Sequence, residues 1–281
     1  MPRVSSQNSA TPAQFSGSRW LREFASAIAS VVFPAGCRIC EKILASSSRI
    51  PICEACLSSF TPITKINCEI CGRPSETGLV NSAADPNLPP RPTRCHDCLD
   101  LDCPRFAFQR ARSWALYHEA LISAILLLKF ERIHPLGYFF AERLAEMICS
   151  NAAALEADIV VPVPLHRARQ RSRGYNQADL LARPLARKLR LPYKPILLAR
   201  ILPRPEAHLL THKERWASVR GAFATRPGTQ VDNLRVLLVD DVMTTGATLD
   251  SCARALRKAG AQTVIAVTVA RASMHQSFTK F

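Results

Sequence analysis

The residues best suited to chemistry lie in one segment of the chain, Val236 to Thr248. The apolar run Val236 to Val239 predicts a buried strand, and two adjacent carboxylates, Asp240 and Asp241, follow it. In open α/β sheets, ligands bind where the parallel strands end at their carboxyl edge. Carboxylates there suit a sugar diol or a hydrated magnesium ion. We therefore expect Asp240 and Asp241 to bind a ribose and its magnesium.

A loop of small residues comes next and is expected to open a helix; it consists of Thr244, Thr245, Gly246, Ala247 and Thr248. Backbone N–H groups and hydroxyls of such a loop can surround a phosphate at the positive end of the helix. Gly246 lets the backbone approach the ligand closely. A helix-capping acidic turn is the alternative for the two aspartates, but the attached loop disfavours it. A phosphate pocket beside a diol and metal pocket fits a ribose 5-phosphate.

A second segment, Pro164 to Gln177, follows the short apolar run Ile159 to Val163 and is rich in arginine. Gly174 allows a tight bend, and Asn176 can cap the helix predicted from Asn176 to Leu189. The arginines, at positions 167, 169, 171 and 173, can bind phosphate through paired hydrogen bonds. A solvated basic turn and contact with a nucleic-acid backbone remain the alternatives.

Eight of the eleven cysteines form Cys-x-x-Cys pairs, which are Cys37/Cys40, Cys53/Cys56, Cys68/Cys71 and Cys95/Cys98. Two such turns can enclose one zinc ion with four thiolates, so the pairs predict two structural zinc sites. Sequential pairing is favoured because short loops close easily, but a cross-braced arrangement stays open. An iron–sulfur cluster fits less well. Cys103 is left over, and Cys149 and Cys252 are expected to be small buried residues on helix faces.

The composition is that of a globular protein with an affinity for polyanions. The chain has 281 residues, 48% of them hydrophobic, a formal net charge of +15 and a pI of about 9.8. This charge favours phosphates, pyrophosphate or nucleic acid as ligands. No apolar run reaches the ~18 residues of a membrane span, and the polar start of the chain does not fit a signal peptide. We therefore expect a cytoplasmic protein with reduced cysteines.

From Phe106 onward, short apolar runs alternate with amphipathic segments. This alternation predicts an α/β fold with a mostly parallel sheet that is covered on both faces. The predicted elements include helices from Leu136 to Ile148 and from Leu249 to Lys258, and a last strand from Thr263 to Ala270.

These motifs together resemble the ComF family, which is associated in bacteria with DNA uptake during natural competence. Val236 to Thr248 resembles the 5-phosphoribosyl 1-pyrophosphate (PRPP) motif of type I phosphoribosyltransferases. The wider likeness covers roughly residues 31 to 271 and includes the cysteine pairs, Lys129, Val161 to His166, Arg173 to Ala178 and Arg215 to Phe223. Two positions depart from the family pattern, Ala207 in place of Gln and Ser218 in place of Asn.

The resemblance implies a domain order and a set of site residues. The polar composition of residues 1–18 predicts a disordered leader, and apolar residues at helical spacing predict an amphipathic helix at 19–34. The resemblance implies a double zinc ribbon at 35–104 and a type I phosphoribosyltransferase-like domain at 105–275. It further implies that Lys129 contributes to the PRPP site and that a pyrophosphate loop is formed by Arg171, Arg173, Gly174 and Asn176.

Two functions follow as hypotheses. The chain binds PRPP with magnesium and transfers its phosphoribosyl group with release of pyrophosphate. Alternatively, it is a non-catalytic factor in DNA uptake, whose zinc ribbons and basic surface contact single-stranded DNA or DNA-uptake proteins. The sequence does not identify an acceptor substrate.

Overall fold

The computed structural model describes residues 36–44, 48–74, 94, 95, 98, 106–152, 155–203, 212–229 and 231–272. The chain divides into two compact units, residues 1–56 and residues 57–281. The leader, the amphipathic helix at 19–34, most of residues 73–94 and Cys103 lie outside the described residues. In the described part, no helix is both long enough and apolar enough to cross a membrane.

The larger unit is an α/β structure built on a parallel sheet. In chain order the described elements are α1 (Glu54–Ser58), β1 (Arg110–Leu116), α2 (Glu119–Phe130), α3 (Pro135–Ser150), β2 (Ile159–Pro162), α4 (Arg167–Arg173), α5 (Gln177–Leu189), β3 (Leu198–Arg200), α6 (His212–Ala217), β4 (Phe223–Thr225), β5 (Arg235–Met243), α7 (Ala247–Lys258) and β6 (Thr263–Arg271). Four strands form the main sheet in the order β1-β6-β5-β2 and all run parallel, which confirms the predicted fold class. Strands β3 and β4 form a separate two-stranded antiparallel sheet.

The two central strands are buried almost throughout, as expected for parallel strands covered on both faces. β5 extends through Met243 and is longer than the predicted run Val236 to Val239. The ladder to β6 continues past the apolar run, because Asp240 pairs in register with Thr268 and Val242 with Ala270. Hydrophobic patterning missed this end because its two carboxylates are polar, although both are buried.

The arginine-rich segment predicted to be a loop forms the two-turn helix α4 instead. Arginine and glutamine are good helix formers, which explains the difference. The His166 ring accepts a hydrogen bond from the Ala168 N–H at the start of the helix. Gly174 ends it in the left-handed conformation, with φ of 87°, and its N–H bonds to the Gln170 carbonyl.

The two helix cysteines differ in burial. Cys252 is fully buried on α7, as predicted, and burial raises the pKa of its thiol. Cys149 is exposed, so the prediction that it is buried is wrong. The buried stripe of α3 passes through Leu144 and Ile148. Cys149 lies one helical turn after buried Ala145, but it belongs to the last turn of α3, where Ser150 and the C-cap Asn151 are exposed as well.

Candidate functional site

The predicted site residues of the sheet meet at its carboxyl edge around Asp241. Lys129, near the end of α2, places its Nζ 3.0 Å from Asp241 Oδ1. Both side chains are largely buried, with exposed fractions of 19% for Lys129 and 6% for Asp241. Asp241 Oδ2 is buried and has no hydrogen-bond partner among the described residues. A buried carboxylate oxygen without a donor is costly, so this atom is suited to a ligand hydroxyl or a cation.

Arg173 at the end of α4 lies within electrostatic reach of the same carboxylate. Burial lowers the pKa of Arg173, and the charge of Asp241 opposes that shift. The guanidinium is held by two contacts, a hydrogen bond of 2.5 Å from Nη1 to Gln177 Oε1 and a stack at 4.9 Å over the exposed Phe130 ring. One cation therefore pairs with Asp241, and a second, pre-positioned cation lies within its electrostatic reach.

Two tyrosines also belong to this region, although the sequence analysis assigned no role to either of them. Burial and the charge of Asp241 together raise the pKa of Tyr117, which follows β1. The Tyr175 hydroxyl donates to the Leu128 carbonyl at 2.5 Å and so ties the α4–α5 turn to the end of α2. The family string around Arg173 contained Tyr175, but its contact with α2 is a tertiary feature that sequence spacing cannot reveal.

The two aspartates do not form one side-by-side pair. Both lie within β5, and successive side chains of a strand point to opposite faces of the sheet. Asp241 faces Lys129, whereas Asp240 is an electrostatic neighbour of buried Cys252 on α7. Asp240 Oδ1 also accepts a hydrogen bond of 2.8 Å from the Asp241 N–H. The expected geometry, in which the strand ends at Val239 and both acids occupy its rim, is therefore corrected.

The small-residue loop takes the predicted place between β5 and α7. Gly246 is the N-cap of α7 with φ of 81°, a conformation that favours glycine. The Ala247 N–H bonds to Thr245 Oγ1 at 3.3 Å, and the Asp250 N–H bonds to the Gly246 carbonyl at 2.8 Å. Between them, the N–H groups of Thr248 and Leu249 belong to the first helical turn and lack a carbonyl partner within the helix. This geometry suits an anion at the helix N-terminus.

Asn176 and Gly174 shape the turn between α4 and α5. The Asn176 side chain is buried and fully engaged, accepting from the Ala178 N–H at 3.1 Å and donating to the Val163 carbonyl at 3.0 Å. Gly174 is exposed, and a Cβ there would meet only the Arg132 guanidinium, at 3.8 Å. Of the four residues expected in a pyrophosphate loop, Arg171 and Arg173 offer cations, while Asn176 and Gly174 set the backbone that carries them.

The eight paired cysteines form two groups of four, Cys37/Cys40/Cys53/Cys56 and Cys68/Cys71/Cys95/Cys98. Within each group the sulfur atoms lie within 4.8 Å of one another, as four ligands of one tetrahedral ion require. This is the sequential pairing. Burial opposes ionisation of the Cys37 thiol, but N–H groups of Cys40, Cys53 and Ile39 hydrogen-bond to it and lower its pKa to about 6. An all-thiolate donor set of this spacing fits zinc.

Purified protein is therefore expected to carry about two zinc ions per chain, because eight thiolates form two complete sites. The measurement is elemental analysis of protein prepared without chelator. Replacing Cys37 by Ser should remove one ion and leave the fold of the larger unit intact, since Cys37 belongs to the smaller unit. A wild-type preparation that is folded and contains no metal would rule out the zinc assignment.

Comparison with known proteins agrees with both parts of the chain. A family model described as a double zinc ribbon domain matches residues 28–99, and one described as a phosphoribosyl transferase domain matches residues 178–278. The chain is 32% identical to the DNA utilization protein YhgH of Salmonella typhimurium strain LT2 over 82% of its own length and 94% of that protein. It is 38% identical to competence protein F of Haemophilus influenzae over 41% of this chain and 51% of that protein.

Among solved structures, the chain is similar to the glutamine PRPP amidotransferase from B. subtilis complexed with ADP and GMP. The match has 24% identity and a TM-score of 0.33, and it covers 48% of this chain and 26% of that one.

Proposed function

The chain belongs to the ComF family, and on that premise we propose that it binds PRPP with magnesium at the carboxyl edge of its parallel sheet. The observation that carries this proposal is the buried, half-satisfied Asp241 carboxylate, with Lys129 on one oxygen and the other oxygen without a donor among the described residues. A ribose hydroxyl or a magnesium ion would complete it.

Each part of PRPP has a counterpart in this arrangement. The 5-phosphate is assigned to the loop Thr244 to Thr248, whose N–H groups open α7. The ribose and its magnesium are assigned to Asp241, with Asp240 behind it on the same strand. The pyrophosphate is assigned to Arg173 and Arg171 on α4, with Lys129 between the ribose and pyrophosphate subsites.

If the site is catalytic, it performs a phosphoribosyl transfer. A nucleophile forms a bond to ribose C1 while the C1–O bond to pyrophosphate breaks, and the electron pair leaves with the pyrophosphate. A proton lost by the acceptor passes to the departing pyrophosphate or to water, and the protein's part is to stabilise the departing negative charge through Arg173 and Lys129. Bound magnesium would neutralise part of the same charge. The test is release of pyrophosphate from PRPP on addition of candidate nucleobase or amine acceptors.

The Arg173→Ala variant is expected to weaken binding of pyrophosphate by about tenfold or more, and binding of ribose 5-phosphate much less. The reason is that Arg173 is the half-buried, pre-positioned cation of α4. Titration calorimetry with each ligand measures the difference. Arg167→Ala is the matched control, because Arg167 is exposed at the other end of the same helix. Equal losses of affinity for both ligands would contradict the assignment of α4 to the pyrophosphate subsite.

A second candidate function, binding of single-stranded DNA, is supported by a separate basic surface. An open cavity of about 520 Å³ is lined by residues that include Arg183, Arg187, Arg190 and Tyr193. The three arginines recur at helical spacing along α5 and its end, so they form one basic stripe. Such a stripe suits a phosphate backbone, with affinity that falls steeply as salt rises. An Arg187→Glu/Arg190→Glu variant that binds single-stranded DNA like the wild type would refute this role.

A further inference from the structure

The second cysteine group, Cys68/Cys71/Cys95/Cys98, is part of the larger unit and packs directly on the sheet. The chain around it covers the edge of β1 through three backbone hydrogen bonds. The Leu116 N–H donates to the Thr61 carbonyl at 2.9 Å. The Ile63 N–H donates to the Trp114 carbonyl at 2.8 Å, and the Ala111 N–H donates to the Ile70 carbonyl at 2.7 Å. The approach is close enough that a Cβ on Gly72 would lie 2.4 Å from the Ala111 carbonyl oxygen.

Arg271, the last residue of β6, lies within electrostatic reach of this group. It is in register with Leu116 of β1 and Met243 of β5, and only 5% of it is exposed. Its Nη1 atom is buried and has no hydrogen-bond partner among the described residues. A buried guanidinium without a compensating charge is strongly unfavourable. The position therefore requires a negative group nearby.

Among the residues that the structure describes, the negative charges that act on Arg271 are thiolates of the second group. Burial lowers the pKa of Arg271 and the positive charge of Arg73 lowers it further, whereas the charges of Cys71, Cys95 and Cys98 oppose that shift. Four thiolates around one Zn²⁺ leave a formal charge of about −2 on the site. Inside a protein such a charge needs nearby cations. Arg112 on β1 is a further neighbour, with Nη1 donating to the Glu69 carbonyl at 2.9 Å, but it is only half-buried.

We propose that Arg271 is the buried counter-charge of the second zinc site, so that this zinc site and the parallel sheet stabilise each other. The first cysteine group belongs to the smaller unit. The two zinc sites therefore differ in kind. The first closes a small module of its own, whereas the second is built into the core that also contains Met243, Ala247 and Leu249 near the phosphate loop.

The test follows the release of each zinc separately in the full-length protein. Zinc-loaded protein is challenged with a chelator, freed thiols are alkylated, and the labelled cysteines are identified by peptide mapping. In Arg271→Met, labelling of Cys68, Cys71, Cys95 and Cys98 is expected to be at least about tenfold faster, with the first group unchanged. Arg271→Lys keeps the positive charge, so its rate of labelling at the second cysteine group should lie between those of Arg271→Met and the wild type. Arg187→Met, at an exposed arginine of α5, is the control.

Unchanged labelling in Arg271→Met, or equal acceleration of both cysteine groups, would overturn the proposal. If Arg271→Met does not fold, Arg112→Met decides by the same measurement, with a smaller acceleration expected that is again confined to the second group. The readout uses chelator and zinc alone. The outcome of this test therefore does not depend on whether the protein binds PRPP.

Discussion

Replacing Asp241 by Asn is expected to weaken binding of PRPP in the presence of magnesium by about tenfold to a hundredfold. The carboxylate lies at the carboxyl end of β5, and its Oδ2 atom has no partner among the described residues. A hydrogen bond or ion contact with a charged group contributes about 1.5–3 kcal/mol, which corresponds to this range of affinity. Without magnesium the loss should be smaller, because removing a negative charge also relieves repulsion of the ligand's phosphates.

The ion pair with Lys129 provides the control for this experiment. If Asp241 served only to neutralise Lys129, the double variant Lys129→Met/Asp241→Asn would restore binding by removing both charges. We expect no restoration, because the double variant lacks both groups assigned to the PRPP site, the Asp241 carboxylate and the Lys129 cation; restored binding would contradict the proposed role of Asp241. The matched change at Asp240, Asp240→Asn, should cost less affinity, since that side chain faces α7. Thermal unfolding of each variant separates loss of the ligand contact from loss of the fold.

The second large effect is expected at the phosphate loop. Thr248→Glu should lower the affinity for ribose 5-phosphate by more than about tenfold, because a carboxylate would compete with the phosphate for the same helix N-terminus. Thr248 is half-buried in the first turn of α7. A negative charge in that turn stabilises a helix by about 0.3–1 kcal/mol, so the fold should not suffer. Calorimetry with ribose 5-phosphate and a melting curve check both statements.

Thr248→Gln is the matched neutral control and should retain most of the affinity. If the Glu and Gln variants bind ribose 5-phosphate equally, the phosphate is not at this helix.

Gly246→Val should also abolish binding of ribose 5-phosphate, but the structure shows that this substitution does not test the loop alone. Its Cβ would lie 2.8 Å from Met243 Cε and 3.0 Å from Phe106 Cε1 at a φ of 81°. The substitution would therefore disturb the core as well as the loop.

Sequence patterns predicted the main elements of the sheet because parallel strands are continuous apolar runs and their helices are amphipathic. The grouping of the cysteines into two sets of four could also be predicted, because short loops between Cys-x-x-Cys pairs favour sites formed by pairs that are consecutive in the sequence. Patterning failed where tertiary contacts override it. The polar end of β5 stays in the strand because it is hydrogen-bonded to β6. Helix α4 forms from residues whose sequence predicted a basic loop.

The candidate site was predictable in its residue types and less so in its geometry. The motif located Asp241 and the loop that opens α7, and the family likeness added Lys129 and Arg173. The pairing of Lys129 with Asp241 depends on how α2 packs beside β5, and no spacing rule contains that information. The same holds for Arg271, which directly follows the last predicted strand in the sequence but is buried within electrostatic reach of the second cysteine group.

The measurement that tests the central proposal most directly is titration calorimetry of PRPP into the zinc-loaded, full-length protein, with and without magnesium. We expect saturable binding of about one PRPP per chain that is stronger with magnesium, is competed by pyrophosphate and is weakened in Asp241→Asn. These results would place PRPP at the edge where β5 meets α7. Folded protein that gives no binding heat at millimolar PRPP with magnesium, and shows no thermal stabilisation by it, would contradict the account.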